Sequence, residues 1–255
     1  AFSSSGLVNS DAVSSVTLKY SGSSTVAGTT NAGTYTGGII ASAASGTGLS
    51  NYSITYSAGN LIVATKALTI TASTQNSEYG TAYSLGTSAF TTSGLVNSDS
   101  VSSVTLLYSN ASTVAPTVNA ATYSAGIVPS AASGSGLSNY SISYVSGNLV
   151  VAKATITVTP KGSVATYDGT TLSNSTYSQS TSNYTFSGYK NSDVAADVPV
   201  TLSGSMAFNG STTTTVKNAA SYSLAVGTLA GSTTNGNYQI SFANSGSNVY
   251  LINPA

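Results

Sequence analysis

The sequence predicts an all-β chain, a tandem array of three small β-sandwich-like domains forming an elongated rod, and three observations carry that reading. Gly6 to Leu18 recurs almost unchanged as Gly94 to Leu106, displaced by 88 positions. Apolar and polar residues alternate with period two in every copy, as in Tyr140-Ser141-Ile142-Ser143-Tyr144, which puts the large side chains on one face of a half-buried strand. The nearest helical candidates, a turn after each Asn-Ser-Asp and the stretch Ser130–Ser133, are too brief to stand alone. A β-grasp-like module is the alternative fold.

The duplication continues without insertion. Tyr20, Tyr35, Tyr52 and Asn60 match Tyr108, Tyr123, Tyr140 and Asn148 at the same offset. A divergent third copy follows. Gly188-Tyr189-Lys190-Asn191-Ser192-Asp193 repeats the Gly-x-x-Asn-Ser-Asp pattern, Asn218 to Tyr222 repeats Asn119 to Tyr123, and Asn237 to Phe242 repeats Asn139 to Tyr144. Solenoid and propeller units run roughly 20 to 50 residues, so this longer period points to independent small domains. The boundaries fall at 1–66, 67–153 and 154–255. A unit of this size buries only about 60 to 65% of its unfolded surface, and no Cys is present to staple it.

Strands are expected at Asn51–Tyr56, Leu68–Thr71, Val104–Tyr108, Thr122–Val128, Tyr140–Tyr144 and Tyr238–Phe242. Ala58-Gly59-Asn60 and Ser146-Gly147-Asn148 supply turn chemistry between them. At each module boundary the alternation changes phase: Leu61 and Val63 are odd, Leu68 and Ile70 even. A continuous extended segment would therefore offer opposite faces to successive cores. Neither boundary holds a Gly or Ser run, so stiff stacking is expected, with Thr65-Lys66 and Lys153-Ala154 as handover points.

The first module has no counterpart of Ala67–Ser88, since Ala1-Phe2 aligns with Ala89-Phe90. One account is that the chain is a fragment of a longer array. The other is that a sheet lacking one strand opens an apolar groove that another chain's strand fills. On that account Val249, Tyr250, Leu251 and Ile252 are the candidate strand-exchange segment.

Composition narrows the chemistry. Six Lys and Arg balance six Asp and Glu, and there is no His, Cys or Trp. Nucleic acids and anionic membranes need clustered cations, so neither is an expected partner, and no membrane insertion is expected within this segment. Extracellular fibres and adhesins tolerate such a polar, nearly uncharged surface. Without His or Cys, common nucleophile-base pairs and transition-metal ligands are missing, and no cofactor or metal is expected. The acids are Asp11, Glu78, Asp99, Asp168, Asp193 and Asp197. Asn9 with Asp11, Asn97 with Asp99, and Asn191 with Asp193 are one position repeated three times, read as structural turns whose side chains bond their own backbone. Asp193 and Asp197 would have to oppose each other across a sugar for glycoside hydrolysis, and four positions apart in one loop they gain no support for it. Most tyrosines alternate with polar residues and are expected in the core.

Ala67-Leu68-Thr69-Ile70-Thr71-Ala72, Glu78-Tyr79-Gly80, Gly94 to Asp99, Asn119 to Tyr123 and Asn139 to Tyr144 together resemble the mostly-beta, glycine-rich (MBG) repeat of the Tyr-Gly type. The third module, with Val164 to Thr171 and Gly236-Asn237-Tyr238, resembles the related Tyr-Asp-Gly (YDG) repeat. The resemblance implies a non-catalytic segment of a secreted or cell-surface bacterial protein, a fibre, stalk or adhesin. Its expected partners are adjacent modules or copies of itself. The alternatives are a repeat that binds glycans or another cell surface, and a polysaccharide-degrading enzyme.

Overall fold

A computed structural model describes residues 1–178, 180–210 and 213–255. The fold is all-β, with several small sheets and, among the described residues, one five-residue helix at Asn174–Ser178 and single 3-10 turns at Leu49–Asn51, Leu137–Asn139 and Thr181–Asn183. Among the described residues no helix is long and apolar enough to cross a membrane. The helical candidate Ser130–Ser133 lies instead inside a 15-residue strand, Ala121–Ser135. Pairing there satisfies backbone groups that a lone helical turn would leave open. The chain divides into two compact units, and the middle repeat contributes strands to both.

The first unit comprises Ala1–Ala72, Phe90–Thr105 and Pro129–Val145. One of its sheets is antiparallel, in the order Ala12–Tyr20, Gly33–Thr47, Gly59–Val63. The register breaks between Tyr35 and Ile39. The Gly37 amide freed there donates to Asn60 Oδ1 at 3.0 Å, so the bulge leaves no orphan donor. A second sheet centres on Lys66–Ala72, parallel to Tyr140–Val145 and antiparallel to Phe90–Ser93. Leu68, Ile70 and Ala72 are buried at alternate positions of that central strand, as its sequence pattern requires.

The second unit comprises Ser73–Ala89, Leu106–Val128 and Ser146–Ala255. Gly147–Ala152 runs parallel to Gln75–Glu78 on one side and antiparallel to Ala121–Ile127 on the other. Among the described residues the third repeat supplies two larger sheets and two small two-stranded ones. Ala154–Pro160 sits between Tyr184–Ser187 and Tyr238–Phe242, while Ser163–Thr166, Val249–Asn253, Ala220–Ala225 and Ala207–Phe208 form the other in that order. Val158 and Tyr184 from the first sheet share one core with Phe208, Leu224 and Ile252 from the second. Two sheets closing on one core make this repeat sandwich-like. Only Lys153 separates Gly147–Ala152 from Ala154–Pro160. Burial moves from odd positions (Leu149, Val151) to even ones (Ile156, Val158) across it.

One expected strand meets a different structure. The pattern Asn51–Tyr56 forms no strand beyond the 3-10 turn at its start, although its duplicate Asn139–Tyr144 runs into the strand Tyr140–Val145. The difference is a partner: the duplicate lies against Lys66–Ala72, and alternation without a neighbouring ladder does not make a strand. Val249–Asn253, the candidate for exchange, is an interior strand, antiparallel to Ala220–Ser223 and parallel to Ser163–Thr166. Both edges are already paired, so leaving would cost two ladders. The tyrosines divide. Tyr79, Tyr140, Tyr177, Tyr184 and Tyr238 are buried, whereas Tyr56, Tyr144 and Tyr167 are exposed.

Candidate functional site

The Asn-Ser-Asp motif folds as a tight turn in all three copies. The amide of Asp11 donates to the Val8 carbonyl at 2.9 Å, and Asp99 to Val96 and Asp193 to Lys190 repeat the bond at 2.9 and 2.8 Å. The two central residues have positive φ: 54° and 62° at Asn9 and Ser10, 56° and 63° at Asn97 and Ser98, 53° and 67° at Asn191 and Ser192. Asn tolerates this left-handed region through its short polar side chain; Ser does so at a cost of order 1 to 3 kcal/mol. Something must hold the turn in place.

A tyrosine 41 to 45 residues downstream does so. The Tyr52 hydroxyl accepts the Val8 amide at 2.9 Å and donates to Asp11 Oδ2 at 2.9 Å. Tyr140 does the same with Val96 and Asp99, at 2.9 and 2.8 Å. Tyr238 follows with Lys190 and Asp193, at 2.8 and 2.6 Å. A phenol carries one proton, and the carboxylate oxygen is closer in each case than the backbone carbonyl that also faces the hydroxyl, at 3.2 to 3.3 Å. A charge-assisted bond of this type is about twice as strong as a neutral one. Burial, reinforced by the bond to Asp193, pushes the Tyr238 phenol up to about 12, and burial likewise raises Tyr140. Both therefore remain protonated donors at neutral pH. The aspartates, expected to bond their own backbone, accept instead from distant phenols.

The turn so braced carries an asparagine into the preceding repeat. Asn97 Nδ2 donates to the Gly28 carbonyl and Asn191 Nδ2 to the Pro116 carbonyl, both at 3.0 Å. A second asparagine, just before the bracing tyrosine, completes the contact. Asn139 Oδ1 accepts the Ala32 amide at 2.8 Å while its Nδ2 donates to Asn31 Oδ1 at 3.1 Å. Asn237 accepts the Ala120 amide at 2.8 Å and donates to Asn119 Oδ1 at 3.0 Å. The same three hydrogen bonds thus appear at both repeat boundaries.

The Tyr-Gly signature adds to the second boundary. The Tyr79 ring meets Tyr238 edge-on at 5.5 Å, and its hydroxyl lies 3.4 Å from Asp193 Oδ2. Gly80, at φ 84°, donates its amide to Pro116, and a Cβ there would lie 2.2 Å from the Lys190 Cβ. Only glycine permits that approach. Glu78 and Lys190 are 3.8 Å apart and substantially exposed, a pair worth little.

Neutral amides, phenols held protonated and carboxylates already hydrogen-bonded can hold surfaces together but offer no activated nucleophile. Asp193 is engaged by Tyr238, and Asp197 Oδ2 accepts the Val194 amide at 3.1 Å, so the two acids serve the same loop. Among the described residues no three of His, Cys, Asp and Glu gather as metal ligands. The predicted turn residues Asn97, Asp99, Asn191 and Asp193 all belong to this arrangement, Asn9 and Asp11 form the matching turn in the first repeat, and Val249 to Ile252 stand apart from it. Sequence reading missed the function of Asn139, Asn237, Asn31 and Asn119, although the recurring Asn-Tyr and Asn-Ala pairs were the available signal.

Residues 1–62 and 68–150 match the MBG domain (YGX type), together more than half of the chain. The chain belongs to the MBG domain family. MBG domains are non-catalytic repeat modules typical of bacterial surface and secreted proteins. In this MBG chain the glycine of the Tyr-Gly signature is required by the approach of the next repeat. No curated protein and no solved structure matches the chain.

Proposed function

We propose that this chain is a non-catalytic structural segment of a bacterial surface protein, whose repeats grip their neighbours so as to space a distal part of that protein from the cell. The observation that carries the reading is the recurrence of one contact: Ala32 N to Asn139 Oδ1 and Ala120 N to Asn237 Oδ1, both 2.8 Å. A catalytic centre has no reason to recur at successive repeat boundaries, whereas a mechanical coupling does. Its partners are adjacent repeats of the same kind, and its place is outside the cell. The third repeat is read as YDG-type, on Tyr167-Asp168-Gly169 and Gly236-Asn237-Tyr238.

Glycan binding through exposed tyrosines draws less support. The Tyr56 and Tyr144 hydroxyls accept the Ala44 and Ala132 amides at 2.8 and 2.9 Å, so these rings brace the backbone. Electron microscopy and small-angle scattering of the wild-type chain and of the double variant Asn139→Ala, Asn237→Ala test the spacer reading. The wild type should give one narrow distribution of lengths and the double variant a broader one. A wild type as broad as the variant would overturn the reading.

A further inference from the structure

The third repeat opens and closes on segments that run the same way. Its opening segment is divided into Ala154–Pro160 and Ser163–Thr166, its closing segment into Tyr238–Phe242 and Val249–Asn253. Both pairings between them are parallel: Ala154–Val158 against Tyr238–Phe242 in five registered pairs, then Ser163–Thr166 against Tyr250–Asn253 in four. The register therefore puts Ala154, where the chain enters the repeat, at one end of this double ladder and Asn253 at the other. Backbone bonds extend it at both margins, from the Ala154 amide to the Asn237 carbonyl at 2.9 Å and from the Tyr167 amide to the Asn253 carbonyl at 2.8 Å. Side chains cross the same seam: Gln239 Nε2 donates to Thr155 Oγ1 at 3.0 Å, and the Thr157 and Ser241 hydroxyls lie 3.2 Å apart. On the other face of the strand Ala154, Ile156 and Val158 are fully buried, which keeps water from that side of the ladder.

We propose that this pair of parallel ladders is a load-bearing clamp, which carries tension passing along the chain through the repeat. Tension that draws Ala154 and Asn253 apart pulls the two segments in opposite senses along their own axes. The bonds of a parallel ladder are evenly spaced across the pair, so that load falls on all of them together and none opens ahead of the rest. An antiparallel pair pulled from one end opens bond by bond instead. The same repeat contains two such pairs, each sharing a strand with the clamp: Ala154–Pro160 with Tyr184–Ser187, where Thr157 faces Ser187, and Ala220–Ala225 with Val249–Asn253, where Ala220 faces Ile252. The repeat is thus built to resist force in the direction of the chain and to yield in others. The use of such a clamp in a stalk rests on the spacer reading, but the resistance itself follows from the register alone, and its absence would leave the lengths by which that reading is judged untouched.

Single-molecule force spectroscopy on the full 255-residue chain tests it. The sequence has no Cys, so cysteines introduced in pairs fix where the force is applied. Lys153→Cys with Ala255→Cys loads the parallel ladders in shear. Lys153→Cys with Ser187→Cys, and Lys217→Cys with Ala255→Cys, load the two antiparallel pairs from one end, and all four positions are exposed. The first pair of handles should require an unfolding force at least about two-fold higher than either of the others at the same pulling speed, because forced unfolding follows the barrier that the load must cross. A shear force that failed to exceed both of the others by that margin would overturn the proposal.

Discussion

Tyr238 Oη lies 2.6 Å from Asp193 Oδ2 and accepts the Lys190 amide at 2.8 Å, so a single phenol closes the turn that sends Asn191 into the preceding repeat. The preceding residue, Asn237, makes its own contact to that repeat. Fold and coupling therefore meet in one dipeptide. Loss of the phenol should weaken both.

Tyr238→Phe removes a bond to a charged acceptor and leaves the Asp193 carboxylate, among the described residues, with the long 3.4 Å contact to Tyr79. The expected cost is about 1.5 to 3 kcal/mol, measured as a lowered urea midpoint. Tyr52→Phe, at a half-exposed site where water can replace the hydroxyl, should cost less.

Alkaline pH should act through the same group. Tyr238 is raised from 10.0 to about 12 in the folded chain. Its contribution is then fully present below pH 10 and is lost as pH rises through 12. Tyr177, also raised to about 12 by burial, adds to the loss in the same window. Thermal melts between about pH 9 and 13, roughly a unit on either side of those values, should show stability falling above 10. Tyr238→Phe should flatten part of that fall.

Gly80→Ala introduces a Cβ 2.2 Å from the Lys190 Cβ at a backbone φ of 84°. Strain and displacement together should cost more than about 1 kcal/mol. The loss should be accompanied by faster exchange of the Lys190 amide. Gly169→Ala, at φ 79° with open space around it, should show the backbone cost alone.

Duplicated residues offer an internal control on burial. Leu106 is 1% exposed and Leu18 is only partly buried. Leu106→Ala should therefore cost about 2 to 5 kcal/mol in chemical denaturation, and Leu18→Ala distinctly less.

Local features were legible from sequence where a residue's neighbours decide its state. The strand at Tyr140–Val145 follows from alternation, and the tight turn at Asn97-Ser98 follows from residue type. Asn51–Tyr56 shows the limit, because identical alternation needs a partner strand and that requirement is not written in the segment itself. The site was less legible still. Asp99 and Tyr140 are 41 residues apart, and Ala32 and Asn139 are 107 apart. Nothing local distinguishes an asparagine that bonds its own turn from one that reaches another repeat.

The central claim, that successive repeats are fastened through asparagine side chains, is tested most directly by amide hydrogen exchange at three equivalent alanines. Ala32 and Ala120 donate to Asn139 and Asn237, while Ala219, the same position in the third repeat, has no such acceptor among the described residues. The account predicts slow exchange at Ala32 and Ala120, fast exchange at Ala219, and loss of protection at Ala120 alone in Asn237→Ala. Equal, fast exchange at all three would contradict it.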